Sequence, residues 1–280
     1  MGGQLTKGLP YKKAMWRHLA EYKLSALGVR SNGIWKKNRK EYAHILPFEH
    51  QTLNILKPYR EEFWDFFPTA KITLHSDFHH LSSSQAMCFN FFFPFLAEGK
   101  KHLQSLREVF GTSGVVKDGR FEVILNDAEA TNFDFCIFAD SKKLFEVKLT
   151  EEGFGAAAPN ESHFSKFRRV YSPALTGKFK AQFCSRDVFL RHYQLMRNVW
   201  NLEPSTADGL VCLIPKANTC LTKEIAFLDA CLSDAYRLRV SVIFLEDALN
   251  AVERSIEGRT TARMQEHFRQ FRQKYVPTFD

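Results

Sequence analysis

Phe133-Asp134-Phe135-Cys136-Ile137-Phe138, followed after a short polar turn by Leu144-Phe145-Glu146-Val147-Lys148-Leu149, decides how this chain is read. Both runs are short, rich in aromatic and branched residues and bounded by turn formers, which marks strands rather than helices. Ala139-Asp140-Ser141-Lys142-Lys143 between them is short and polar enough for the tip of a hairpin. Side chains two apart on a strand share a face, so Glu146 and Lys148 project together while Phe145, Val147 and Leu149 point the other way. Buried strands seldom tolerate such charges. Left unpaired among Phe, Val, Ile and Leu, the three ionisable groups Asp134, Glu146 and Lys148 are each costly. They must pair with one another, hold a metal, or lie at an opened sheet edge.

Working outward, Phe121-Glu122-Val123-Ile124-Leu125 reads as a third strand ahead of these two. Before it, Ser82-Ser83-Ser84 offers N-cap oxygens to a helix over 85–93 that Pro94 is expected to kink or end, and Gly111 is placed to end a second helix over 100–110. After it, residues 151–185 read as a long loop or a region of small helices. The pattern then alternates: helix over 186–200, strand over 209–214, helix over 223–236, strand over 240–245, and a helical tail over 248–275. Three consecutive strands pair as a meander, whereas the later ones need helical crossovers. The expected fold is therefore α/β, a mixed central sheet flanked by helices in an αβββαβ core. Residues 1–75 are expected to form a basic N-terminal extension of short helices and loops, and 76–280 the domain that carries the chemistry.

Composition sets the outer limits. At 280 residues, with 45% hydrophobic and 25% charged residues, the chain is ordinary globular protein rather than collagen-like or disordered. The apolar run over 86–97 is interrupted by Asn90 and Pro94 and is too short to span a bilayer, so no membrane is expected. The N-terminus lacks the apolar segment of a secretory signal, which points to the cytoplasm, and Thr6 fits only the loose pattern for lipidation at Gly2. Six cysteines without a CxxC pair read as reduced core thiols, and the cluster His75, His79, His80 as a polar turn rather than a zinc site. A G-x-S-x-G elbow, a G-x-x-x-x-G-K-[ST] loop and a G-x-G-x-x-G turn are all missing, which disfavours serine hydrolysis, nucleotide hydrolysis and dinucleotide binding.

The net charge of +8 is unevenly placed: +9 over 1–60, −4 over 61–150, +4 over 151–200 and −1 over 201–280. Basic blocks on both sides of an acidic middle suit a polyanion-binding protein with a metal-binding centre, although a solvated basic surface gives the same count. The first block interleaves rings with cations, as in Trp35-Lys36-Lys37-Asn38-Arg39-Lys40-Glu41-Tyr42, a pattern that permits stacking and phosphate contact together. Lys166, Arg168, Arg169, Lys178, Lys180 and Arg186 are candidates to line a DNA groove, or else a solvated loop.

Two carboxylates brought together by adjacent strands suit Mg²⁺ or Mn²⁺, with the carbonyl of Val147 as a further ligand. A lysine beside such an ion positions or deprotonates water and offsets transition-state charge, the requirements of metal-assisted phosphodiester hydrolysis. Asp134, then an interval, then Glu146-Val147-Lys148 at a strand end resembles the active-site signature of the PD-(D/E)XK nuclease superfamily. His80 to Gln85, Asn90 and Glu129 to Asp134 are similar to a prokaryotic group of restriction endonucleases within it. Phe133 stands where that superfamily's motif has proline. The resemblance covers roughly 81–246 and implies that Asp134 and Glu146 hold Mg²⁺ with Lys148 beside the nucleophilic water. It further implies a completing acid or amide, for which Gln85 and Glu129 are favoured and Glu108 is a third candidate; Gln85 reads equally as an amide capping its own helix, and Glu129 as a solvated turn carboxylate. Separately from the resemblance, Gln194 is a candidate to approach the site or a phosphate, or else an ordinary exposed glutamine. DNA is the expected partner, with RNA still open, and double-strand cleavage by a single-site enzyme implies a homodimer. The alternatives are a nucleic-acid-binding protein of the same fold without turnover, and an exposed Glu146–Lys148 pair unrelated to Asp134.

Overall fold

A computed structural model describes residues 10–126, 129–257 and 261–279; the N-terminal stretch with Gly2 and Thr6 lies outside them. Met15, Leu19 and Tyr22 recur at helical spacing and are buried on α1 (Tyr11–Leu27), which Gly28 ends in the left-handed conformation at φ 68°. Lys23 is buried on the same helix, and its ammonium donates to the carbonyl of Ser31 at 2.6 Å and to Asn32 Oδ1 at 2.9 Å, tying down the following turn. Where short helices and loops were expected, the chain then forms a hairpin of β1 (Gly33–Trp35) and β2 (Lys40–Tyr42), with Trp35 opposite Lys40. Its base passes so close to the next segment that a Cβ on Gly33 would stand 2.1 Å from the Leu46 carbonyl oxygen. α2 (Arg60–Phe66) follows.

The helix expected after the serines is α3 (Ser84–Ala97), capped by Ser83 Oγ, which accepts from Ala86 N–H at 3.2 Å. Pro94 does not end it. Proline lacks the N–H that would bond the carbonyl of Asn90 four residues earlier, and His267 Nε2 replaces it, donating to that carbonyl at 2.6 Å. The next helix divides at Gln104 into α4 (Lys100–Leu103) and α5 (Ser105–Phe110), and Gly111 ends it as expected at φ 61°.

β3 (Asp118–Ile124), β4 (Asn132–Phe138) and β5 (Lys142–Val147) form the antiparallel meander, with Phe121 opposite Phe135 and Phe135 opposite Phe145. The following segment contains small helices: α6 (Glu161–Lys166), capped by Asn160, runs into a π turn over Phe167–Tyr171. The helix expected over 186–200 is two, α7 (Arg186–Arg191) and α8 (Tyr193–Trp200), parted at His192. That residue leaves helical geometry while its ring stacks on Phe227 at 3.5 Å and Nδ1 meets Glu224 at 2.9 Å. β6 (Gly209–Ile214) is buried throughout and pairs parallel with β5, Glu146 lying opposite Cys212. After α9 (Thr222–Cys231) and α10 (Asp234–Arg237), β7 (Val240–Phe244) completes a five-stranded mixed sheet ordered β3-β4-β5-β6-β7.

The tail is helical as expected and forms α11 (Leu245–Ile256) and α12 (Ala262–Tyr275); residues 258–260 lie outside the described set. α12 packs on α3 through ring contacts such as Phe91–Phe271 at 5.4 Å and Phe95–Phe268 at 5.6 Å.

By packing, the chain falls into two compact units. One comprises the residues through Gly111, Pro215–Asn218 and the residues from Phe244 on; the other comprises Thr112–Ile214 and Thr219–Ile243 and holds most of the sheet. Four cysteines are buried as core thiols, but Cys184 is half-buried and Cys220 is exposed, since its 3₁₀ turn runs over the surface. No described helix is long and apolar enough to cross a membrane.

Candidate active site

The site lies within the second unit, where β4 and β5 stop pairing. The last paired residues are Phe135 and Phe145, and one step further the same register sets Asp134 opposite Glu146. Instead of joining the ladder, the N–H of Val147 donates to Asp134 Oδ2 at 2.6 Å. In an extended strand the carbonyl of a residue leaves on the same side as its N–H, so the Val147 carbonyl also faces β4. Lys148 N–H bonds the Leu213 carbonyl at 3.0 Å, keeping β5 pinned to β6.

Glu146 and Lys148 are both buried and, as alternation requires, share a face: Lys148 Nζ is 2.7 Å from Glu146 Oε1. α8 covers this pair. Gln194 Nε2 donates to the same Glu146 oxygen at 2.7 Å, and Gln194 Oε1 accepts from Lys148 Nζ at 3.1 Å, closing a three-membered ring of hydrogen bonds. One turn along, Asn198 Nδ2 donates to Glu146 Oε2 at 2.9 Å. Sequence reasoning singled out Gln194 but missed Asn198; the available signal was their i, i+4 spacing, which puts two amides on one helix face. Glu151 was also missed: its Oε2 accepts from Leu149 N–H at 2.7 Å just past the strand end.

The electrostatics are those of a site with surplus negative charge. Dehydration, and then the neighbouring charge of Glu146, hold the Asp134 carboxyl well above the usual carboxylate range, with Lys148 and the Val147 N–H only partly opposing them. Burial works against the Lys148 ammonium, but Glu146, Glu151 and Asp134 outweigh it and hold its pKa above the ordinary lysine value. A divalent cation would relieve the strain between the carboxylates, and the donors are the hard oxygens Mg²⁺ prefers. Glu146 Oε2 receives one hydrogen bond and so keeps a lone pair for coordination. The residues present therefore fit such an ion. No group of three or more His, Cys, Asp or Glu arranged for a metal occurs among the described residues, as expected where backbone and water complete the shell.

The other candidates have different surroundings. Glu129 is buried and accepts from Thr131 N–H at 2.9 Å, the Thr131 hydroxyl, Tyr171 OH, Arg197 Nε at 2.7 Å and Asn201 Nδ2 at 3.2 Å. Burial would raise its pKa, but these donors outweigh that and lower it. Through Arg197, on α8 beside Asn198, this carboxylate anchors the helix that covers Glu146. Gln85 belongs to the other unit, where its amide bridges the Thr73 carbonyl and the His75 N–H at 2.9 Å each. Glu108 is exposed on α5 in that same unit.

Of the candidate groove cations, Lys178 is buried and donates to the carbonyls of Trp200 and, at 2.8 Å, Leu202, so it fastens structure rather than lining an open surface. Lys166 bonds the Glu129 carbonyl at 2.9 Å, Lys180 bonds the Ala230 carbonyl at 3.0 Å, and Arg168 and Arg186 pair with Glu161 and Asp187. Arg169 is exposed.

A family model described as restriction endonuclease associating with ARP matches residues 17–276. The chain belongs to this family. Its match takes in every residue of the site above and nearly all of both compact units, so the family assignment covers most of the N-terminal helix and the whole hairpin as well as the sheet. No curated protein and no solved structure matches the chain.

Proposed function

We propose that this restriction endonuclease family member is a Mg²⁺- or Mn²⁺-dependent endonuclease of the PD-(D/E)XK type that hydrolyses DNA phosphodiester bonds in restriction or a related defence. The observation that carries the reading is the placement of Lys148 Nζ 2.7 Å from Glu146 Oε1, with Asp134 bonded to the N–H of the intervening Val147. Asp134, Glu146 and the Val147 carbonyl would hold the ion. The ion would lower the pKa of bound water and polarise the scissile phosphate.

The protein's own groups supply the rest. Lys148 is protonated and aimed by Gln194, so it orients water and offsets charge on the phosphate in the transition state. Gln194 and Asn198 fix the rotamer of Glu146 from two sides, which holds the ligand in place before substrate arrives.

The test is cleavage of supercoiled plasmid in Mg²⁺, Mn²⁺ or EDTA by wild type, Asp134→Asn and Lys148→Ala. Metal-dependent nicking or linearisation by wild type, lost in both folded variants, is the expected outcome. Absence of cleavage on plasmid, single-stranded DNA and RNA, with nucleic-acid binding intact, would refute turnover.

A further inference from the structure

The β1–β2 hairpin plays no part in the chemistry derived above, yet it concentrates charge in an unusual way. Lys36, Lys37, Arg39 and Lys40 form its turn and the start of its return strand, all four exposed. None of them forms an ion pair with a carboxylate among the described residues. Four cations so close in sequence repel one another, and the compensation for Lys36 is a ring rather than a carboxylate, its ammonium lying 4.8 Å from the centre of Phe48.

The backbone adds a second observation. Arg39 N–H closes the turn on the Trp35 carbonyl at 2.8 Å with Arg39 at φ 57°, a left-handed conformation that glycine or asparagine adopts at less cost. Arginine at this position weakens the turn, so folding does not account for its side chain.

The rings interleaved with these cations face the other way. Trp35 Nε1 donates to Asp77 Oδ2 at 3.2 Å, and the Trp35 ring packs edge-on against Tyr42 at 5.8 Å and His80 at 5.7 Å. Trp16 of α1 stacks on His44 at 4.3 Å behind them. The hairpin is thus a ribbon rooted on one face by aromatic packing, with its charges held outward.

We propose that this hairpin is an arm that grips the phosphate backbone of duplex DNA; the choice of DNA rests on the nuclease reading above. Single strands are held by stacking their bases on free exposed rings, whereas here Trp35 and Tyr42 are half-buried and engaged with each other, Asp77 and His80, and the exposed Phe48 ring is covered by Lys36. A two-stranded ribbon fits the major groove, and outward Lys and Arg side chains meet phosphates on its walls.

The experiment measures binding of the full chain to a fluorescent DNA duplex in EDTA by anisotropy over a salt series. Lys36→Ala/Lys37→Ala is compared with Lys100→Ala/Lys101→Ala, which removes the same charge from the exposed start of α4. The arm requires the first pair to weaken duplex binding by roughly tenfold and to lower the slope of log K against log salt by about 1.8, and the second pair to do much less. Arg39→Gly should weaken binding while leaving the melting temperature unchanged or higher, a combination that a merely structural role does not produce. Equal effects of the two lysine pairs, unchanged binding by Arg39→Gly, or a loss confined to single-stranded DNA, RNA or an acidic protein would overturn the arm. Plasmid cleavage measured in parallel separates the two ideas. Cleavage with hairpin-independent binding removes the arm alone, whereas hairpin-dependent duplex binding without cleavage leaves the arm standing and removes the nuclease.

Discussion

Asn198 lies fully buried against Glu146, its Nδ2 donating to Oε2 at 2.9 Å while its own Oδ1 finds no hydrogen-bond partner among the described residues. An amide that leaves one end unsatisfied in a closed interior is kept for what its other end does. Asn198→Leu should cost about 1 to 3 kcal/mol by stripping a donor from a buried carboxylate. Asn198→Asp should cost more, because it sets a second acid against Glu146. The folded pKa of the new acid is raised, so the deficit should grow as pH rises. Urea unfolding of both variants at pH 5 and pH 8 measures this, and a deficit independent of pH would refute the placement of Asn198.

Asp134 exacts a cost in the metal-free protein. Its folded pKa lies above the value in the unfolded chain, so its contribution to stability is intact below that unfolded value and is lost as pH rises. Asp134→Asn should therefore abolish cleavage while raising the melting temperature in EDTA near pH 7.5, the gain disappearing toward pH 4. Mg²⁺ should stabilise wild type and not the variant. Calorimetry with and without the ion decides it; a melting temperature lowered at every pH would argue against repulsion between Asp134 and Glu146.

Glu129 has the opposite character. Glu129→Ala leaves Arg197 facing a vacated interior and should destabilise by about 3 to 5 kcal/mol, as removal of one partner from a buried ion pair does. Its effect should fall on unfolding more than on the metal concentration needed for cleavage. A large shift in metal requirement with little loss of stability would instead place Glu129 among the ligands.

Three histidines set an acid limit. Burial lowers His44 to about 3, and His80 and His267 to about 4 each. Between pH 6.5 and about 4 the unfolded chain binds protons that these folded imidazoles refuse, so stability falls with pH, by up to roughly 1.4 kcal/mol per pH unit for each group. His44→Phe, which keeps a ring against Trp16, should flatten that fall in a series of thermal melts. An unaltered pH slope would exclude His44 from the effect.

The meander and its charges were legible because they are local: alternation at Phe145-Glu146-Val147-Lys148 fixes which side chains share a face without knowledge of the rest. Gly111 and Ser83 were legible for the same reason, since a cap is set by its own few neighbours. What escaped was long-range. Pro94 fails to end α3 because His267, far along the chain, supplies the missing donor. The break at His192 answers to Phe227 and Glu224. The i, i+4 spacing of Gln194 and Asn198 puts them on one helix face, but what that face covers becomes visible only once α8 lies over β5. Glu129 read as an acid completing the site or as a turn carboxylate, and its anchoring of α8 stayed hidden because its partners Tyr171, Arg197 and Asn201 all come later in sequence.

The parallel pairing of β5 with β6 has a consequence in time. A nascent chain that has emerged only as far as Lys148 already carries Asp134, Glu146 and Lys148, but neither Gln194 and Asn198, which aim them, nor the strand from Gly209, which pins their backbone, has yet been made. A parallel neighbour cannot be added until its crossover is complete. Synthesis order thus leaves the three charged groups without the amides that aim them and without the strand that pins them until the crossover and the strand after it have left the ribosome.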